Sequence, residues 1–111
     1  MYFEKLYHLT KDKYLPRIFT EGLNPNNGNY GLTINSKKHD LIFLTDNIDY
    51  IKNYQATDEW MKDSTILEVH TSGIPIEQYR IECPKTGDMI DMKHEFVCNR
   101  IISIDRIKRL S

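Results

Sequence analysis

Near the N-terminus, the spacing of apolar residues changes from that of a strand to that of a helix. Residues 2–9 alternate loosely between apolar and polar side chains, which predicts a first β-strand. Residues 15–23 carry apolar residues on one helical face, with Pro16 suited to the first helical position and Gly22 suited to the C-terminal cap. The residues that share this face are Leu15, Ile18 and Phe19. The segment therefore predicts a short amphipathic helix of about two turns.

A polar segment separates this helix from the next predicted elements. Residues 24–40 are rich in Asn, Gly, Lys and Ser, which predicts a loop that either closes over a functional site or serves as a connector. The apolar run at residues 41–44 predicts a buried strand, and Thr45 or Asp46 is expected to cap a second helix. Ile48, Ile51 and Tyr54 form the apolar face of that helix, and Trp60 and Met61 are expected to end the region against the core.

The second half of the chain is predicted to consist mostly of strands. Residues 64–70 alternate, and residues 93–98 predict a strand in which Glu95 lies on the face opposite its neighbours. Residues 74–92 are expected to be irregular, and a tight turn leads to a last strand at residues 107–110. Because the helices come early and the strands gather late, the predicted fold class is α+β.

Composition and charge limit the classes of protein to which the chain can belong. The chain, residues 1–111, is expected to form one domain, and its formal net charge of −1 leaves no overall basic footprint for nucleic acid. The basic positions between Arg100 and Arg109 favour a solvated edge, with contact to a polyanion as the alternative. Cys83 and Cys98 do not make a disulfide framework, and no His or Cys spacing indicates zinc. The apolar runs are too short for a membrane span or a signal peptide, so a reduced, cytoplasmic setting is expected.

Three side chains are candidates for chemistry. His8, at the end of the first strand, can hold a hydroxyl with one ring nitrogen while a backbone group fixes the other. Glu95 lies among apolar residues, where a carboxylate is costly to desolvate unless it has a partner or a role. Tyr54 offers a flat ring for stacking on a heteroaromatic ligand. Each has an ordinary structural alternative: a half-buried histidine, a solvent-facing carboxylate and a core aromatic residue.

Three segments together resemble the ADP-ribosyltransferase superfamily, in particular the small bacterial members of the DNA-modifying DarT type and the rifamycin-modifying type. They are Leu6-Tyr7-His8-Leu9-Thr10 followed by Leu15-Pro16-Arg17-Ile18 and Glu21-Gly22-Leu23, then Ile42-Phe43-Leu44-Thr45-Asp46 through Asn53-Tyr54, and finally Glu95-Phe96-Val97. The strand at residues 65–69 with Gly73 also resembles a stretch common in these enzymes. The resemblance covers nearly the whole chain. It implies a split antiparallel sheet with two short helices early in the chain.

The resemblance also implies a chemistry with NAD as co-substrate. In the diphtheria-toxin-like branch the histidine contacts a ribose hydroxyl, aromatic residues enclose the nicotinamide and the glutamate binds the nicotinamide ribose. The implied catalytic residues are Glu95 and His8, and the implied NAD-binding residues are His8, Leu9, Thr10, Phe43, Thr45, Tyr54 and Glu95. Phe43 stands where this branch usually has tyrosine, so the stacking face is kept and a hydroxyl is lost.

The implied function is NAD-dependent transfer of ADP-ribose to a macromolecular acceptor, either protein or nucleic acid, by a bacterial or phage protein. One alternative is a catalytically weak or inactive member of the same fold that acts as a binding or inhibitory module. Another is an unrelated α+β module. The RNA 2′-phosphotransferase branch is disfavoured, because it depends on several arginines near its histidine and only Arg17 stands near His8.

Overall fold

The computed structural model describes residues 1–25 and 41–110. This part of the chain has an α+β fold, with a six-stranded antiparallel sheet and two short helices. The strands are β1 (Lys5–Lys11), β2 (Ile42–Thr45), β3 (Ser64–His70), β4 (Glu77–Glu82), β5 (Met89–Cys98) and β6 (Ile107–Arg109), and the helices are α1 (Leu15–Glu21) and α2 (Ile48–Thr57). Most of the predicted loop at residues 24–40 lies outside the described residues. No described helix is both long and apolar enough to cross a membrane.

The predicted first helix is present as α1. Its proline lies in the first turn, and Gly22 ends the helix with a φ of 83° and donates its N–H to the carbonyl of Ile18 at 2.7 Å. Leu15 and Ile18 are buried in the core, as their spacing indicates. Phe19 is 37% exposed, because it lies at the margin of the buried face.

The start of α2 differs from the prediction. The cap is Asn47, whose side chain accepts a hydrogen bond from the backbone N–H of Tyr50 at 3.2 Å, and not Thr45 or Asp46. Strand β2 continues through Thr45, so the helix begins later than expected. Trp60 is 60% exposed and does not pack on the core, because it lies in a surface 3-10 turn at Glu59–Met61.

The prediction that residues 74–92 are irregular is wrong, because they include β4 and the first residues of β5. These strands form an antiparallel hairpin, and its turn is closed by two hydrogen bonds of 2.8 Å between Cys83 and residues Gly87 and Asp88. Pro84 and Gly87 therefore mark a hairpin turn. Most of this hairpin, which we call the β4–β5 arm, is exposed, and apart from Tyr79 and Ile81 its apolar residues show no regular alternation.

The sheet has a narrow junction at its centre. The strand order is β4-β5-β2-β1-β3-β6, and every pair is antiparallel. β1 pairs with β3 along its whole length, whereas its register with β2 consists of the pair Tyr7–Thr45. The main core lies on one face of the sheet and includes Leu6, Leu15, Ile18, Ile42, Leu44, Leu67, Val69, Phe96 and Ile102. We call the junction between β1 and β2 the seam.

Candidate functional site

A cleft opens at the seam. Its volume is about 690 Å³, within the range of about 300–1,000 Å³ that is typical of small-molecule and cofactor sites. Residues 7–11 of β1 all line it, although successive side chains of a strand point to opposite faces. The lining therefore includes positions from both faces of β1, beside its junction with β2. Helix α2 forms one wall, with Ile51 and Tyr54, and β4 contributes Tyr79.

The structure brings all seven of the residues singled out by the resemblance to this one cleft. They are His8, Leu9, Thr10, Phe43, Thr45, Tyr54 and Glu95. His8 lies on β1 and Glu95 on β5, the two strands that flank β2, and Tyr7, Thr45 and Glu95 are in register across the three strands. Two strand spacings separate the backbones of β1 and β5, about 10 Å.

His8 bridges the seam with its imidazole ring. The residue is buried, and its Nδ1 lies 2.7 Å from the carbonyl oxygen of Phe43 on β2. Because a carbonyl can only accept, Nδ1 carries the proton and Nε2 carries the lone pair. Burial lowers the pKa of His8, and the bond to Phe43 opposes this shift only in part. The ring is therefore neutral near pH 7, and its Nε2, which is an acceptor in this tautomer, is buried.

Glu95, on β5, supplies a half-buried carboxylate to the lining of the cleft. Burial raises its pKa, which means that less water surrounds this acid than surrounds a surface glutamate. The pKa of Tyr79 on β4 is raised by burial and also by the negative charge of Glu95. The phenol and the carboxylate are therefore close enough to interact.

Aromatic rings also line the cleft. The rings of Phe43 and Tyr79 meet edge to face, with centroids 5.0 Å apart. Tyr54 faces the cleft from α2, and its pKa is raised by burial and by a hydrogen bond to Asp58. A flat heteroaromatic ligand would thus meet rings from β2, β4 and α2.

The two threonines in the cleft differ in what they can offer a ligand. Thr45 donates its hydroxyl proton to the carbonyl of His94 at 2.6 Å and accepts from the N–H of Asn47 at 3.1 Å. It can therefore offer a ligand only its remaining lone pair. Thr10 is buried, and its hydroxyl lies 3.5 Å from the carbonyl of Lys11, a long contact.

Sequence reasoning missed several lining residues. They are Tyr7, Lys11, Lys13, Tyr14, Leu44, Tyr50, Ile51, Trp60, Met61, Tyr79 and Ile81. A signal for Tyr79 was present, because Tyr79 and Ile81 alternate with Gln78 and Arg80 as in a strand. At the rim, the Lys11 ammonium lies 4.1 Å from the centroid of the Trp60 ring.

In the described part of the chain, no group of three or more His, Cys, Asp or Glu side chains could hold a metal ion. Comparisons with protein-family models, with curated proteins and with solved structures gave no match.

Proposed function

We propose that the protein is an NAD-dependent ADP-ribosyltransferase that modifies a macromolecular acceptor in the cytoplasm. One observation supports the proposal above all: side chains from distant parts of the chain, His8, Phe43, Tyr54 and Glu95, line a single cleft of about 690 Å³. An imidazole that accepts hydrogen bonds, a carboxylate and flat rings are the groups that a nicotinamide riboside needs.

In this proposal each group has a separate task in binding NAD. Phe43 and Tyr54 enclose the nicotinamide ring. Side chains of the cleft move to uncover Nε2 of His8, which is buried in this structure, and Nε2 then accepts a hydrogen bond from a ribose hydroxyl. Glu95 accepts a hydrogen bond from the hydroxyl at the 2′ position of the nicotinamide ribose. The lysines at the rim, Lys11 and Lys13, favour the negatively charged diphosphate.

The reaction requires one bond to break and one to form. The bond between C1′ of the ribose and the nicotinamide nitrogen breaks, and its electron pair leaves with neutral nicotinamide. The sugar carries positive charge in the transition state, as in glycoside hydrolysis, and the Glu95 carboxylate stabilises that charge. A nucleophilic atom of the acceptor then bonds to C1′ and loses its proton to solvent.

The proposal is tested by incubating the purified protein with labelled NAD and a cell lysate. We expect label to appear in a macromolecular fraction. Glu95→Gln removes the charge and keeps the shape, so the rate should fall by about 10²–10³. Glu77→Gln, at an exposed position of β4, is the matched control and should keep the wild-type rate. Transfer by Glu95→Gln at the wild-type rate would overturn the assignment.

A second candidate function is a non-catalytic member of the same fold that binds NAD or ADP-ribose. The observation that favours it is the phenylalanine at position 43, which keeps a stacking face and brings no hydroxyl. Calorimetry separates the two candidates. Binding of NAD without turnover supports the second, and turnover rejects it.

A further inference from the structure

Glu95 lies in an irregular part of β5. The register between β4 and β5 includes the pairs Gln78–Phe96 and Arg80–Asp91. Between these pairs β4 has only Tyr79, whereas β5 has the four residues from Met92 to Glu95. A bulge of this kind bends the strand and redirects its side chains. We call residues 92–95 the β5 bulge.

The side chain of Gln78 bonds across the β5 bulge. Its Nε2 lies 2.5 Å from the carbonyl oxygen of Met92 and 3.0 Å from that of Glu95. Because both partners are carbonyls, the amide nitrogen must donate to each, and a primary amide has two N–H groups for this purpose. One side chain therefore joins the beginning of the bulge to its end.

The opposite edge of the bulge is held by β2 and the residue that follows it. The Thr45 hydroxyl donates to the carbonyl of His94 at 2.6 Å, and the His94 ring lies 3.0 Å from the carboxylate of Asp46. The carbonyls of Met92, His94 and Glu95 are thus bonded by side chains of the two flanking strands. These contacts fix the backbone from which the Glu95 side chain enters the cleft.

We propose that Gln78 is a positioning residue: its amide holds the β5 bulge in the shape that directs the Glu95 carboxylate into the cleft. The catalytic meaning of this contact rests on the proposed function. The effect of Gln78 on the surroundings of Glu95 does not rest on the proposed function, so the structural effect and the catalytic effect can be tested separately.

The structural test follows the Glu95 side-chain carboxyl carbon by NMR as a function of pH. Gln78→Leu removes both N–H donors of the amide and leaves a side chain of similar volume. We expect the midpoint of the Glu95 titration, raised by burial in the wild type, to move towards the ordinary value of 4.5 as the bulge relaxes and water reaches the acid. Tyr79, whose pKa is raised in part by the charge of Glu95, is not altered in this variant.

Gln55→Leu is the matched control. Gln55 also donates its amide to a backbone carbonyl, that of Ser64 at 2.9 Å, but it does not line the cleft. Its loss should leave the Glu95 midpoint unchanged. Gln78→Asn, whose amide is too short to reach both carbonyls, is the milder variant if Gln78→Leu does not fold. A wild-type midpoint in the folded Gln78 variants would overturn the proposal.

The catalytic consequence is read from kinetics with NAD. A small misplacement of a catalytic group lowers the rate of the chemical step, whereas the rings and rim that bind the dinucleotide remain in place. Gln78→Leu should therefore lower kcat by about 10–100-fold with KM for NAD within about threefold. Equal kcat in Gln78→Leu and Gln55→Leu would overturn this part of the inference. An inactive wild type with a shifted Glu95 midpoint in Gln78→Leu would refute the proposed function and support the positioning role.

Discussion

The buried histidine at the seam should make the stability of the protein depend on pH in a way that one substitution removes. His8 is buried and neutral, and its Nδ1–H bonds to the carbonyl of Phe43 at 2.7 Å. His8→Asn places an amide N–H close to the position of Nδ1, so the bond across the seam is kept. The asparagine has no group that gains a proton in this pH range, so the pH dependence due to His8 is removed.

The sign follows from proton binding in the two states. In the unfolded chain His8 has its ordinary pKa of 6.5, whereas burial lowers its pKa in the folded protein. Between these two values the unfolded state binds more protons, so the free energy of unfolding falls as the pH falls. From about pH 7 to about pH 5.5 the loss from this one residue is about 1.3 kcal/mol if the folded ring stays neutral, out of about 5–15 kcal/mol in total.

Glu95 contributes with the opposite sign. Burial raises its pKa in the folded protein above the ordinary value of 4.5. Between these two pKa values the folded state binds more protons than the unfolded state, so acidification stabilises the protein. For this reason the quantity to measure is the difference between the wild type and His8→Asn, which share Glu95.

Urea unfolding at about pH 7 and about pH 5.5 measures that difference. With a typical urea dependence of about 1–3 kcal/mol per molar, the wild-type midpoint should fall by about 0.4–1.3 M more than that of His8→Asn. His70→Asn is the matched control, because the side chain of His70 is 55% exposed, and it should behave like the wild type. Equal pH dependence in His8→Asn and the wild type would show that the imidazole does not gain a proton on unfolding.

Three further predictions concern the fold and the cleft. Gly22→Ala should lower the free energy of unfolding by about 2–4 kcal/mol in denaturant unfolding, because a Cβ there would meet the Ile102 carbonyl oxygen at 2.3 Å and φ is positive. Gly73→Ala, where φ is positive but the space is open, should lower it by only about 1–2 kcal/mol. Equal losses of stability in the two variants would show that the contact with Ile102 is not destabilising. Tyr54→Phe should keep the NAD affinity measured by calorimetry, whereas Tyr54→Ala should weaken it by about 2–10-fold; equal affinities of the two variants would remove Tyr54 from the site. Phe43→Leu should weaken NAD binding by a similar factor, and unchanged affinity would rule out stacking on this ring.

Elements that pack on the core were predictable from the sequence. β3 has the predicted bounds, and α1 begins at Leu15 as predicted and ends one residue before its glycine cap. In α1 the apolar spacing reflects burial against the core. β3 is buried on both faces, with Leu67 and Val69 on one and Ile66 on the other. β1 begins and ends later than predicted, because Tyr2 is exposed and the pairing with β3 continues to Lys11.

The β4–β5 arm was not predictable in the same way. It is held by pairing between its own strands and by ion pairs such as Arg80–Asp91 at 2.7 Å, so no core dictates its apolar positions. Tyr79 and Ile81 do alternate with their polar neighbours, but this short run lies between Pro75 and Pro84, and prolines are typical of turns and irregular structure. The β5 bulge is absent from any local pattern, because it depends on a glutamine that belongs to the neighbouring strand.

The seam links the stability of the sheet to the proposed chemistry. β4, β5 and β2 carry Glu95, and β1, β3 and β6 carry His8, with the pair Tyr7–Thr45 and the imidazole joining the two halves. The distance between the acid and the imidazole therefore depends on the residue that would also bind the ribose. A truncation such as His8→Ala would confound the two roles, since it removes the bridge as well as the Nε2 acceptor.

His8→Asn separates these roles, because its amide N–H keeps the bridge to Phe43 while no atom replaces Nε2. Near pH 7 this variant should unfold at a urea concentration close to that of the wild type, yet bind NAD more weakly. A hydrogen bond to a neutral partner is worth about 0.5–1.5 kcal/mol, or about 2–10-fold in the dissociation constant. Unchanged NAD affinity in a stable His8→Asn variant would confine His8 to its role in the sheet.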